Sequence, residues 1–185
     1  MKVKLVNVRL AFPALFEPKS VNAGDDPRFS AAFPVKPGSE NAKALDAAVS
    51  AVANEKWGAK AANILTELKA KGRVAYKEST LSKDGEVYDG FEGMHTFNAT
   101  NKMRPLVINS DKTPLTAADG KPYAGCNVDV IVELWAQDNS YGKRVNATLS
   151  GVQFRADGDA FSGGRPASAD EFEDLAQGTE AEALV

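Results

Sequence analysis

From Cys126 to Gln137 the chain keeps a strict period of two. Cys126, Val128, Val130, Val132, Leu134 and Ala136 alternate with Asn127, Asp129, Ile131, Glu133, Trp135 and Gln137. A helix turns too fast to gather such a pattern on one face, whereas a strand buried on one side requires it. Asp138 to Gly142 supplies turn residues. Val145, Ala147 and Leu149 then alternate with Arg144, Asn146, Thr148 and Ser150. Together these runs predict a long antiparallel hairpin. Its alternation puts Trp135 on the polar side, with Arg144 on the facing strand. Two explanations of that indole stand open: it offers a flat apolar surface to a ligand, or it packs beneath a helix.

The rest of the chain adds strands around this hairpin. Lys2 to Leu10 alternates, but the apolar set shifts from Val3 and Leu5 to Val6, Val8 and Leu10. A change of phase predicts a β-bulge near Leu5. Pro13 lacks an N–H, so the strand is expected to end around Ala11–Phe16, with loop from Pro18 to Pro27. Arg28 to Val35 is a further strand, with Phe29, Ala31, Phe33 and Val35 inward. Ser39 can cap the helical spacing that follows over residues 40–70, which Gly58 kinks or divides. Trp57, beside that break, is expected to anchor the helix. Strands follow over 73–80, 94–101 and 105–109, with an Asp84–Gly85 hairpin signal between the first two. No βαβ alternation occurs. The expected fold is mostly β, an elaborated OB-fold barrel with a helical insertion over 40–70.

Charge divides the chain. Residues 156–185 hold eight acids and one base, against 17 acids and 21 bases in 1–155. The expected organisation is a mildly basic domain, 1–155, and a disordered acidic C-terminal tail, 156–185. No apolar run approaches the roughly 20 residues that span a bilayer, and the alternating N-terminus reads as a strand and not a signal peptide. A lone cysteine, Cys126, excludes an internal disulfide and fits a reducing compartment.

Chemistry has few candidates. His95 is the single histidine, so neither a zinc site nor a Ser/His/Asp arrangement is expected. No phosphate-loop pattern of glycines is present. Holding a single-stranded nucleic acid asks for less: aromatic faces for bases and cations for phosphates. Phe12, Tyr76, Tyr88, Phe97, Trp135 and Tyr141 are the candidate stacking residues, with Phe91 and Phe154 also available. Cations are interleaved with them: Arg73 and Lys77 beside Tyr76, Lys102 and Arg104 after Phe97, Lys143 and Arg144 after Tyr141. Two other readings fit the residues: a protein-interaction module without nucleic acid, and a carboxylate-based metal-dependent nuclease.

Tyr123–Cys126, Glu133–Asn139 (ELWAQDN) and Asn146–Phe154 (NATLSGVQF) resemble a family of bacteriophage single-stranded DNA-binding proteins, similar in design to the T7-like phage binding protein. Lys56–Trp57–Gly58 and the opening strand with Ala11–Phe12–Pro13 share the resemblance, which covers most of 1–155. It implies an OB-fold, a non-enzymatic role, and sequence-independent binding of single-stranded DNA in phage replication, recombination or repair. The implied location is the host cytoplasm, in association with the nucleoid. It also implies an acidic tail that competes with DNA and recruits phage or host replication proteins. The tail residues in question here are Asp170, Glu171, Phe172, Glu173 and Asp174. The chain departs from the pattern at its end, Glu182-Ala183-Leu184-Val185, which carries no terminal phenylalanine.

Overall fold

The computed structural model describes residues 1–161 together with Phe172 and Leu175. Its elements are β1 Lys2–Arg9, β2 Ala11–Lys19, β3 Arg28–Val35, α1 Glu40–Trp57, α2 Ala61–Ala70, β4 Tyr76–Lys77, β5 Ser82–Lys83, β6 Glu86–Val87, β7 His95–Asn101, β8 Leu106–Ile108, β9 Asn127–Asn139 and β10 Gly142–Ala156. The main sheet runs β1-β9-β10-β7-β3-β2, with β4 added to β7 and β8 to β10. β5 and β6 form a separate small hairpin. The two ends of the sheet are consecutive in the chain, because β1 bends into β2 at Leu10. There the Leu10 N–H donates to Cys126 O (2.9 Å) and the Gly125 N–H donates to Leu10 O (2.8 Å). The result is an OB-like fold in which the chain, and not a ladder between β1 and β2, joins the sheet's ends.

Alternation builds the core as expected. Val128, Val130, Val132 and Leu134 of β9 and Val145, Ala147, Leu149 and Val152 of β10 are all buried. Each valine or leucine removed from water this way contributes about 1.5–3 kcal/mol. α1 adds Leu45, Ala48, Val49 and Val52 to the same core. The Ser39 hydroxyl caps this helix, accepting from the Ala42 N–H at 3.2 Å. Gly58, at φ 56°, ends it and hands over to a single 3-10 turn before α2. Trp57 ties the junction to the hairpin, its indole N–H donating to Asp138 (2.9 Å).

The phase change in β1 is a bulge. Pairing passes from Leu5↔Val130 to Val8↔Val128, and Asn7 takes φ 55°. Asn41 of α1 satisfies the bulged peptide from both sides, accepting from the Val6 N–H (3.0 Å) and donating to Val6 O (2.9 Å). Phe29 and Phe33 are core, as their alternation predicted.

Three expectations are corrected. Pro13 does not stop the chain's extension, since β2 runs through Pro13 and Pro18 to Lys19. β2 is a terminal strand that pairs with β3 alone, so the missing N–H deprives no neighbour. The 73–80 strand shrinks to Tyr76–Lys77 plus a bridge between Val74 and Val145. The hairpin turn is tighter than read, with only Ser140 and Tyr141 between β9 and β10.

After β10, residues 157–161 fold back as a strap. The Tyr123 hydroxyl donates to Asp157 (2.6 Å), Arg9 donates to Asp159 O (2.5 Å), and the Phe161 N–H donates to Ala124 O (3.2 Å). The Arg9 guanidinium lies over the Phe161 ring at 4.1 Å. Gly125, at φ 105°, is required here because an added Cβ would strike Asp159 and Ala160. Of the tail expected over 156–185, Ala156 ends β10 and 157–161 form this strap; the rest lies outside the described residues except for Phe172 and Leu175, both exposed. Phe161→Ala is expected to lower stability by about 1–2 kcal/mol, the value of a partly buried aromatic. Truncation after Phe161 is expected to leave the melting temperature unchanged. Thermal denaturation of both variants checks this.

Candidate nucleic-acid interface

The face of β9 and β10 that points away from the core is polar except at Ile131 and Trp135. Trp135 is 44% exposed. It pairs across the ladder with Asn146, and its indole N–H donates to the Thr148 hydroxyl (3.1 Å). That bond holds the ring on the outer surface, where it also lines a separate concavity with Val52, Glu55 and Lys56 of α1. The ring is therefore half-exposed and not buried beneath the helix. Gln137 and Asn146 lock one another, the Asn146 amide donating to Gln137 Oε1 at 2.9 Å.

Around this ring lies a groove of about 710 Å³ lined by Arg28, Lys102, Met103, Trp135, Arg144 and the polar side chains between them. It adjoins a second concavity of about 290 Å³ that adds Lys77 and Asn98. Among the described residues no carboxylate lines either surface. Arg28, Lys77, Lys102 and Arg144 enter no ion pair among the described residues. In a chain with 25 acids and 22 bases, this is a pronounced local separation of charge. Arg28, Lys102 and Arg144, without an ion-pair partner among the described residues, beside a half-exposed indole match what single strands need: positive charge along the backbone and a π-face for a base, with Lys77 in the adjoining concavity.

Of the twelve residues singled out from the sequence, Lys77, Lys102, Trp135 and Arg144 come together here. Arg28, Met103 and Gln137 join them. Met103 had no local signal; Arg28 and Gln137 had only their places on the polar sides of their strands, Gln137 two residues from Trp135. Tyr76 and Phe97 are corrections: both are buried, paired across β4 and β7, and offer no face to a base. Phe91 and Phe154 are likewise core. Phe12 and Tyr88 form their own edge-to-face pair (5.1 Å between ring centroids), outside the groove. Arg104 sits 5.3 Å over the Phe16 ring. Tyr141 is 83% exposed at the hairpin tip. Arg73 and Lys143 line a separate groove of about 530 Å³ that contains Glu67 and Asp138. There Lys143 is paired with Asp138 (3.6 Å), whose carboxyl is held below the usual range first by the Trp57 hydrogen bond.

The buried Tyr76 has a structural task. Its hydroxyl is hydrogen-bonded to His95 Nδ1 at 2.8 Å. Burial, with Asp46 and Glu78 adding to it, pushes the phenol up to about 12.

The fold is that of an open, OB-like β-sheet domain carrying a helical insertion. Comparison with known proteins agrees. Residues 1–184 match the family model described as Enterobacter phage Enc34, ssDNA-binding protein, and the chain belongs to that family. Protein p50 of Acyrthosiphon pisum secondary endosymbiont phage 1 is 43% identical over 187 residues, covering 100% of this chain and 99% of that one. The single-stranded DNA-binding protein from bacteriophage Enc34 superposes with TM-score 0.67 at 25% identity, over 93% of this chain and 90% of that one. Its complex with ssDNA superposes with TM-score 0.62 at 24% identity, over 87% and 89%. The fold is also that of gp2.5 of bacteriophage T7, with TM-score 0.56 at 13% identity over 94% and 97% of the two chains.

A tyrosine whose pKa is higher folded than unfolded favours the folded state up to about pH 10, and that contribution is lost between about pH 10 and 12. Tyr76→Phe is expected to cost about 1 kcal/mol at neutral pH for the lost hydrogen bond. It is also expected to flatten the loss of stability between about pH 10 and 12. Denaturant titrations at several pH values measure both.

Proposed function

We propose that this protein binds single-stranded DNA, without regard to sequence, along the carboxylate-free groove at Trp135. The observation that carries the reading is the coincidence of an exposed, hydrogen-bonded indole with Arg28, Lys102 and Arg144 on a surface stripped of acids. The cations displace counterions along the phosphates, and the indole stacks on a base of any identity. Nothing in this scheme needs a bond to be made or broken, and the role is non-catalytic. Among the described residues no group of three His, Cys, Asp or Glu side chains is placed to hold a metal ion; the nuclease alternative is tested by whether magnesium yields cleaved product. Family membership supports a place in phage DNA replication, recombination or repair in the host cytoplasm; association with the nucleoid is part of the proposal.

The tail is the regulatory part of the proposal. Residues 162–185 hold six acids and one base. The strap fixes their starting point at Phe161. From Arg144 to Ala156 β10 spans at most about 40 Å, at about 3.3 Å per residue. The 24 residues beyond Phe161 extend to at most about 80 Å. Glu180 and Glu182, 19 and 21 residues beyond Phe161 and so on at most about 60–70 Å of chain, are within tether length of the groove, where they compete with phosphates. The patch Asp170, Glu171, Phe172, Glu173 and Asp174 is the proposed contact for replication proteins.

Anisotropy of a fluorescent oligothymidine is expected to rise on adding protein in dilute buffer, with affinity falling as salt increases. No binding under those conditions would sink the reading. Trp135→Ala is expected to weaken binding roughly ten-fold, in line with about 1–3 kcal/mol per stacked base. Its melting temperature is expected to stay close to the parent's. Truncation after Phe161 is expected to tighten binding at low salt, with the gap closing as salt screens the tail. Equal affinities at low salt would remove the tail from the mechanism.

A further inference from the structure

Building on the single-strand-binding reading, we infer that the interface has two unlike halves: a stacking half at Trp135 and Met103, and an ionic half at Lys77 that holds phosphates alone. The two concave surfaces share Arg28, Thr100, Arg144, Asn146 and Ala147, so they form one continuous track. They differ in what else they hold. The larger contains Trp135 and the exposed Met103. The smaller adds Gly72, Val74, Ala75, Lys77 and Asn98, and no aromatic.

The topology explains the difference. β7 and β10 run parallel and meet at Thr148↔Thr100. Towards their N-terminal ends the segment 73–77 is wedged between them. The Ala75 N–H donates to Val145 O (2.8 Å) on one side, and the Asn98 N–H donates to Ala75 O (3.1 Å) on the other. Alternation in the wedge sends Val74 and Tyr76 into the core and leaves Ala75 and Lys77 facing out. The one aromatic that this stretch could have offered to a base is thus spent on the interior. Gly72 and Ala75 keep the floor low, and Lys77 supplies the charge. At about 290 Å³ the space suits a sugar–phosphate stretch, with no ring against which a base could stack. Beyond Lys77 the surface carries Glu78, paired with Lys69 at 3.7 Å. The return of a carboxylate marks the end of the track.

A short oligonucleotide should fill the stacking half alone, and a longer one should span both. Binding of oligothymidines of about 4 and about 12 nucleotides, which bracket common site sizes, is measured by anisotropy for the parent, Lys77→Gln and Lys77→Arg. Lys77→Gln is expected to weaken the longer ligand about three- to ten-fold and leave the shorter one unchanged. The log–log salt slope for the longer ligand is expected to fall by about 0.7, one phosphate contact on a single strand. Lys77→Arg is expected to restore both. Lys77 lies on the surface of a two-residue strand, so circular dichroism melts should coincide for all three proteins. Equal losses on both lengths, or no loss on the longer one, would overturn the division into halves while leaving the single-strand reading intact. A parent that binds neither length would overturn both.

Discussion

Everything distinctive about this surface depends on the pleat of β9 and β10. A strand sends successive side chains to opposite faces, so one stretch of sequence writes two surfaces at once. The valines at 128, 130 and 132 and Leu134 build the core, and the intervening residues build the outer face. Because the ladder between the two strands is held by backbone hydrogen bonds, the outer face inherits the rigidity of the inner one. Trp135 and Arg144 are therefore presented on a platform, with the Thr148 hydroxyl and the Gln137–Asn146 pair fixing the details.

Charge is arranged by the same logic of place and not of total. The net charge is −3, which taken alone argues against a polyanion as partner. Much of the negative charge is held after β10, and body carboxylates are often answered by nearby cations, as Asp129 is by Lys4 and Arg155, and Asp138 by Lys143. Among the described residues the four groove cations have no such answer. Binding surfaces of this kind need local imbalance, and an acidic protein can provide it by keeping its acids elsewhere.

Where the signal was local, the sequence was enough. The hairpin, the bulge in β1, the capped and divided helix and the Asp84–Gly85 turn each follow from residues within a few positions of one another. What failed was non-local. Pro13 was read as a stop because nothing in its neighbourhood reveals that β2 lies at the end of the sheet. Tyr76 and Phe97 looked available because their mutual burial is set by the pairing of β4 with β7. Arg28 was passed over because its nearness to Arg144 comes from β3, β7 and β10 lying side by side. Arg73 is four positions from Lys77 and Lys143 one from Arg144, yet Arg73 and Lys143 line a groove that carries carboxylates.

The chain has two tryptophans, and the fold makes them unlike as optical reporters. Trp57 is bonded to Asp138 at the helix–hairpin junction, in the groove that retains its carboxylates. Trp135 lies in the groove that does not. The intrinsic emission of the protein is thus the sum of a fixed reference and a sensor placed on the surface of interest. A single-tryptophan form that keeps only residue 135 would read that surface without any dye attached.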